Sequence, residues 1–206
     1  MNLSRFYPIF NSYDWLERLV PLGIKLVQLR IKDSSEPDIR AQIIKAKALC
    51  EQHNCTLVIN DYWQLAIELG CEWIHLGQED LEIADIDKIK QAGLKLGIST
   101  HDYDELDLAK QLNPDYIALG PVYPTILKKM KWHQQGLEKV TEWKQKLGTT
   151  PLVAIGGISV ARAEGAFAAG ADIVAAVTDI TLHSSPEQRV TEWLEACTYE
   201  LPKAQS

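Results

Sequence analysis

Short apolar, β-rich segments alternate with amphipathic helical segments along almost the whole chain. We predict eight strands, at residues 5–10, 25–29, 56–59, 73–76, 95–98, 116–119, 152–155 and 173–177. Helices are predicted between most of them, at 37–53, 62–70, 83–92, 103–112, 137–147 and 161–169. Strands with little polar alternation, separated by helices, are typical of a parallel sheet buried on both faces. Eight such units in 206 residues predict a compact (β/α)8 TIM barrel. An open doubly wound sheet is the alternative, although no Gly-x-Gly-x-x-Gly follows the first strand.

Composition narrows the class of protein. No linker or composition shift divides the chain, so we expect a single domain over residues 1–206, with frayed termini at 1–5 and 199–206. Acidic residues outnumber basic ones 28 to 21, and the resulting charge of −7 disfavours nucleic acid or a membrane surface as partner. The four cysteines lack a CxxC spacing, which indicates reduced thiols and a cytoplasmic location. Small-molecule substrates are expected, and a homo-oligomer is compatible with the sequence.

The end of the second predicted strand carries two cations. Alternation places Gln28, Arg30 and Lys32 on one side of the extended chain, and Leu29 and Ile31 on the other. Arginine and lysine beside an amide suit a phosphate-bearing ligand, because arginine binds phosphate oxygens in pairs and lysine adds a point charge. A solvated strand end with salt bridges to nearby acidic residues is the alternative.

Two carboxylates follow the third and fourth strands. Asp61 and Asp80 come just after neighbouring strands, and Mg²⁺ is commonly held by one or two carboxylates, with phosphates and water completing its shell. Asp61 is also well placed to cap the next helix, and Asp80 to form a turn. Their occurrence beside a cationic strand end favours the metal site.

The fourth and fifth strands carry hydroxyl and imidazole groups. Ser99 is interpreted as part of a phosphate-accepting corner where strand turns into helix. His75 is interpreted as a histidine within a barrel layer rather than a general base, and His101 as a residue at a helix N-terminus.

Gly156-Gly157 follows the seventh strand, where barrels frequently bind phosphate through backbone amides. A tight turn explains the same pair. The lysine-rich segment 126–136 is either a lid or a solvated loop.

Six strings in this chain resemble the thiamine-phosphate synthase family in order and spacing. They are Gln28-Leu29-Arg30-Ile31-Lys32-Asp33, Ile59-Asn60-Asp61, His75-Leu76-Gly77-Gln78-Glu79-Asp80-Leu81, Gly97-Ile98-Ser99-Thr100-His101, Gly120-Pro121-Val122-Tyr123-Pro124-Thr125 and Ala154-Ile155-Gly156-Gly157-Ile158. The resemblance covers roughly residues 6–180, and the first and third strings together are highly specific.

The resemblance implies a barrel transferase that joins an aminopyrimidine diphosphate to a thiazole phosphate and releases pyrophosphate with Mg²⁺. It makes Asp61 and Asp80 the Mg²⁺ ligands, and Arg30, Lys32, Ser99 and Lys128 the catalytic residues. The residues it places at the substrates are Gln28, Leu29, Arg30, Ile31, Lys32, Asn60 and Ser99 for the pyrimidine diphosphate, Lys128 for the pyrophosphate, and Thr125, Gly157, Val177 and Thr178 for the thiazole phosphate.

Two positions depart from the family pattern. Leu127 stands where the family usually has a second threonine, and Thr178 stands where it commonly has serine. A thiazole tautomerase and a non-catalytic barrel that binds thiamine phosphate are the alternative functions, and a phosphosugar isomerase is a third. Retention of Asn60, Asp61 and Asp80 favours the synthase.

Overall fold

Eight parallel strands close into a barrel in which each strand pairs with the next along the chain and β8 pairs with β1. A computed structural model describes residues 3–125 and 133–198. The strands are β1 (Phe6–Phe10), β2 (Leu26–Leu29), β3 (Thr56–Asn60), β4 (Trp73–Leu76), β5 (Lys95–Thr100), β6 (Tyr116–Leu119), β7 (Leu152–Ala154) and β8 (Ile173–Ala176). The TIM-barrel prediction is confirmed, and each predicted strand is present within two residues of its expected ends.

Helices surround the strands. They are α1 (Tyr13–Leu19), α2 (Glu36–Gln52), α3 (Trp63–Glu68), α4 (Gln78–Leu81), α5 (Ile86–Gln91), α6 (Tyr103–Gln111), α7 (Gly136–Leu147), α8 (Val160–Ala168), α9 (Thr178–Thr181) and α10 (Pro186–Thr198), with a short 3-10 helix at Val20–Leu22. Sequence periodicity did not predict α1, α4, α9 or α10. α1, α4 and α9 have four to seven residues and are too short to show a repeat of 3.6, whereas α10, with 13 residues, was missed although its length allows such a repeat.

Alternation along the strands divides the buried residues into two clusters. The larger cluster lies between strands and helices and includes Leu29, Ile59 and Ile74. The smaller one fills the barrel interior with Tyr7, Ile9, Leu26, Val58, Trp73, Tyr116, Ala118, Val153, Ile173 and Ala175. Each strand therefore presents alternate side chains to the barrel axis.

Arg5, which belongs to the segment 1–5 that was expected to fray, is held by both its backbone and its side chain. The Arg5 carbonyl accepts a hydrogen bond from the Val174 amide at 2.8 Å, and the Arg5 guanidinium lies 3.9 Å from the centre of the Phe167 ring. Residues 1–2 and 199–206, also expected to fray, lie outside the described residues. None of the helices in residues 3–125 and 133–198 has the length and apolar character that a membrane crossing requires.

Candidate active site

Four polar side chains form an inward-facing layer near the carboxyl ends of β2 to β5. Gln28, Asn60, His75 and Ser99 each lie two positions after an inward-facing residue of their strand, and so share its direction. Gln28, Asn60 and His75 are buried, with 2%, 4% and 8% of their surface exposed. Since barrel enzymes carry their chemistry at this end, the layer forms the floor of the candidate site.

His75 is bound on both ring nitrogens. Its Nδ1 lies 2.7 Å from the Tyr116 hydroxyl, and its Nε2 lies 2.7 Å from Ser99 Oγ. Burial lowers the pKa of His75 to about 4; the charge of Asp61 acts to raise it and that of Arg30 to lower it. His75 is therefore a neutral residue of the barrel interior, in keeping with its interpretation as part of a barrel layer.

Ser99 lies within β5, one residue before its end, rather than at the turn into a helix. Its carbonyl accepts a hydrogen bond from Gln78 Nε2 at 2.8 Å, which ties the end of β5 to α4. His101 precedes α6 and pairs through Nδ1 with Glu105 Oε1 at 2.9 Å, in accord with its interpretation as a residue at a helix N-terminus.

Asp61 and Lys32 meet at the rim of this floor. The Lys32 ammonium forms an ion pair with Asp61 Oδ2, while the backbone carbonyl of Asp61 accepts from the Trp63 amide. Asp61 adopts φ of 67°, a left-handed conformation that is costly for a residue with a Cβ. The N-cap position of α3 belongs to Tyr62, so the alternative that Asp61 caps this helix is wrong.

Asp80 lies next to Asp61 and is the second carboxylate of the rim. Burial first, and then the hydrogen-bonding proximity and negative charge of Asp61, raise the pKa of Asp80, while Lys32 acts to lower it. Two adjacent carboxylates repel each other, and a divalent cation bound between them removes that repulsion. Within the described residues, no three His, Cys, Asp or Glu side chains gather as metal ligands. Mg²⁺ usually takes only one or two carboxylates from the protein, with water and phosphate completing its coordination shell, and Asp61 and Asp80 fit this pattern.

The Asn60 side chain offers an unused donor in this floor. Among the described residues, Nδ2 of Asn60 is buried and has no hydrogen-bond partner. Because an unsatisfied buried donor costs free energy, a free amide hydrogen in the floor of the site is typical of a group that binds a ligand.

The side chains at the end of β2 point alternately to opposite faces of the sheet, as the sequence predicts. Arg30 is half-buried, and Lys32 is exposed. The side chains of Leu29 and Ile31 instead belong to the outer cluster, between the strands and the helices. These two side chains point away from the barrel mouth, so the prediction that Leu29 and Ile31 lie at the substrate can concern only their backbone.

A second sector lies beyond β6, β7 and β8. Gly156 and Gly157 have φ of 102° and 64°, and a Cβ on Gly157 would lie 2.4 Å from the Pro124 carbonyl oxygen. The pair therefore forms the tight turn, packed against the loop after β6. Arg162 on α8, which the sequence did not single out, donates to the Gly157 carbonyl at 2.7 Å.

The ends of β7 and β8 are tied together near this turn. Asp179 Oδ2 accepts from the Val160 amide at 3.3 Å and from Trp193 Nε1 at 2.8 Å. Thr178 is the first residue of α9 and Val177 is its N-cap, so both lie next to Asp179 in the chain. Thr125 is the last described residue before the gap. Lys128, Leu127 and most of the 126–136 segment lie outside the described residues.

The sequence model of a family described as thiamine monophosphate synthase matches residues 7–180. The chain belongs to this family. Relatives named thiamine-phosphate synthase include one from Rhizobium etli, 58% identical over 95% of this chain and 96% of the relative, and one from Escherichia coli strain K12, 47% identical over 86% and 84%.

Solved structures agree on the fold of this thiamine monophosphate synthase family member. A thiamine phosphate pyrophosphorylase from Pyrococcus furiosus superposes with a TM-score of 0.83 at 21% identity, covering 94% of this chain and 95% of that one. A 3-hexulose-6-phosphate synthase superposes with a TM-score of 0.67 at 14% identity, over 94% and 100%. At these identities the likeness concerns the barrel alone.

Sequence reasoning did not single out Tyr7 and Tyr116 in this family member. Both are fully buried in the barrel interior, and their hydroxyl groups lie 2.8 Å apart although the residues are 109 positions apart in the chain. Alternation along their strands could have indicated that both side chains point inward. It could not have indicated that these two strands bring their tyrosines together across the barrel.

Proposed function

We propose that this protein is a thiamine-phosphate synthase, a transferase that joins an aminopyrimidine diphosphate to a thiazole phosphate. The observation that carries the proposal is the pair of adjacent carboxylates, Asp61 and Asp80, beside the Lys32 ammonium. Oppositely charged groups in one place suit a diphosphate that arrives with a divalent cation. Membership of the family and the names of the relatives support the same activity.

The reaction breaks the bond between the pyrimidine methylene carbon and the diphosphate oxygen. The bonding electrons leave with pyrophosphate, and the thiazole nitrogen supplies the pair that forms the new carbon–nitrogen bond. No proton needs to move in either step. This agrees with a site floor whose only histidine, among the described residues, is neutral and bonded on both nitrogens.

The protein side chains act by charge and position. Arg30, Lys32 and Lys128 are proposed to stabilise the charge that develops on the leaving pyrophosphate. Mg²⁺, held by Asp61 and Asp80, would neutralise further charge on that group when bound. Asn60 Nδ2 and Ser99 Oγ are proposed to orient the pyrimidine diphosphate, with Gln28 and the backbone of residues 29 and 31 beside it.

The thiazole phosphate is assigned to the second sector. Thr125, Gly157, Val177 and Thr178 are proposed to bind it, because Asp179 joins the segments after β7 and β8 there and barrels frequently bind phosphate at this end. The separation of the two sectors around the barrel supports two anionic substrates bound at once. A cytoplasmic location is part of the proposal, supported by the cysteine spacing.

One assay tests the function. Pyrophosphate release is measured with both substrates, with each alone, and with and without Mg²⁺. We expect release only when both substrates and Mg²⁺ are present. Isomerisation of the thiazole compound without Mg²⁺ would indicate a tautomerase, and binding of thiamine phosphate without pyrophosphate release would indicate a non-catalytic barrel.

A further inference from the structure

A chain of side-chain hydrogen bonds crosses the barrel interior beneath the site. Gln28 Nε2 lies 2.9 Å from the Tyr7 hydroxyl, and the Tyr7 and Tyr116 hydroxyls lie 2.8 Å apart. Tyr116 continues to His75 Nδ1 at 2.7 Å, and His75 Nε2 continues to Ser99 Oγ at 2.7 Å. The chain joins β2, β1, β6, β4 and β5, and it ends at a residue that we assign to substrate binding.

The number of hydrogens gives this chain one direction. An amide nitrogen can only donate, so Gln28 donates to the Tyr7 oxygen. Tyr7 then has one hydrogen, and among the described residues the Tyr116 oxygen is the acceptor within its reach, so Tyr7 donates to Tyr116. The one hydrogen of Tyr116 then goes to His75 Nδ1. A neutral imidazole that accepts at Nδ1 carries its hydrogen on Nε2.

The consequence appears at Ser99. Its oxygen accepts from His75 Nε2, so its own hydrogen remains for a ligand at the barrel mouth. We infer that Gln28, Tyr7, Tyr116 and His75 form a one-way relay that makes the Ser99 hydroxyl a hydrogen-bond donor to the substrate. Tyr7, Tyr116 and His75 are positioning residues, because they act through Ser99.

The surroundings hold the relay in this state. The Tyr116 ring stacks on the rings of Trp73 and His75, with ring centres 5.9 and 5.7 Å apart. Gly97 has no side chain and so leaves room for the Tyr116 ring. Burial raises the pKa of both tyrosines and lowers that of His75, so all three stay uncharged near neutral pH. A donor fixed before the substrate arrives costs no reorganisation on binding.

The substrate part of this inference rests on the proposed function. The group that meets Ser99 is a hydrogen-bond acceptor of the pyrimidine diphosphate, either a phosphate oxygen or a ring nitrogen. Pyrophosphate and the free hydroxymethyl pyrimidine are each titrated into the unaltered protein and into the Ser99→Ala variant. Weaker binding of pyrophosphate to the variant would identify a phosphate oxygen as the acceptor, and weaker binding of the pyrimidine would identify a ring nitrogen. If neither binds more weakly, Ser99 is not a donor to this substrate.

The first experiment needs no substrate. Nitrogen NMR of protein labelled in its histidines reports which ring nitrogen of His75 carries hydrogen, with His75→Gln used to assign the signal. We expect hydrogen on Nε2 and a bare Nδ1 near neutral pH. Hydrogen on Nδ1 would mean that the relay runs in the opposite direction. Ser99 would then donate its hydrogen to His75 and could only accept from the substrate, which overturns the inference.

The second experiment is a double-mutant cycle. Tyr116→Phe removes the donor to His75, and we expect KM for the pyrimidine diphosphate to rise up to about tenfold, the worth of one hydrogen bond, with KM for the thiazole phosphate unchanged. Tyr7→Phe should act in the same direction. Tyr13→Phe on α1 removes a tyrosine hydroxyl outside the barrel and serves as the matched control.

Placing Tyr116→Phe in a Ser99→Ala background completes the cycle. We expect little further loss there, because the relay acts only through Ser99. An equal loss in both backgrounds, or an equal rise in both KM values, would mean that Tyr116 has only a structural role. If the unaltered protein released no pyrophosphate, the proposed function would fail, while the NMR experiment would still decide the direction of the relay.

Discussion

The Lys32 ammonium forms an ion pair with Asp61, and Asp61 lies beside Asp80. A cation from the loop after β2 therefore already balances part of the charge of two neighbouring carboxylates. A divalent cation held by these two carboxylates would leave Lys32 available to pair with the diphosphate that accompanies it. This relationship links the metal site to the first anion site and motivates the first two predictions.

Asp80→Asn should remove most turnover and raise the melting temperature measured without metal. We propose that this carboxylate binds Mg²⁺, but in the metal-free protein it is repelled by Asp61 and is partly desolvated, which destabilises the fold. Turnover at several Mg²⁺ concentrations and thermal unfolding in a chelating buffer check this.

Asp61→Asn should also lose turnover, whereas the exposed Asp87→Asn on α5 should change neither quantity. Full activity of both the Asp61 and the Asp80 variants at saturating Mg²⁺ would show that the metal is held elsewhere.

Arg30→Ala and Lys32→Ala should weaken binding of the pyrimidine diphosphate more than that of the thiazole phosphate. Both cations belong to the β2 sector, whereas the thiazole phosphate is assigned to the sector of β6 to β8. Arg30→Lys should recover only part of the loss, because an ammonium cannot form the paired hydrogen bonds of a guanidinium. Calorimetric titration of each ligand decides this, and equal losses for both ligands would mean that the two sites are one.

His75 should make the protein less stable in mild acid. The unfolded chain binds a proton at His75 with a pKa near 6.5, but the folded chain does so only near pH 4. The stability gained by burying a neutral ring is therefore present above about pH 6.5 and is lost as pH falls toward 4, by about 3 kcal/mol.

Denaturant unfolding at pH 7 and pH 4 measures this loss. His75→Gln should reduce the difference between the two pH values, and His53→Gln at the end of α2 should not. If His75→Gln kept the whole difference, other groups would account for the acid sensitivity.

Gly97→Ala should destabilise the barrel by about 3 kcal/mol, because the new Cβ would lie 2.0 Å from Cζ of Tyr116. In the matched change Gly165→Ala, within α8, the new Cβ would lie 3.6 Å from Leu137 and 3.8 Å from the Tyr123 hydroxyl, and the change should stabilise by about 0.5–1 kcal/mol. Chemical denaturation of both variants checks the contrast. Equal small effects would place the Tyr116 ring elsewhere in the interior.

Local sequence determined the parts of the fold that depend on short-range periodicity. Apolar β-rich runs and helical repeats identified all eight strands and most of the longer helices. The short α1, α4 and α9 escaped because so few residues show no clear repeat, and the 13-residue α10 was also missed. Charged residues at strand ends, such as Lys32 and Asp61, were likewise visible, since the ends of parallel strands meet at one face of a barrel.

Only the tertiary structure decided which side chains meet across that barrel. Alternation predicts that a residue lies on one of two faces, but closure of the sheet selects the inward face and the register of each neighbour. Closure brings Tyr7 to Tyr116 and His75 to Ser99, and it turns Leu29 and Ile31 away from the mouth. These contacts depend on the tilt and stagger of eight strands together, which no local stretch of sequence specifies.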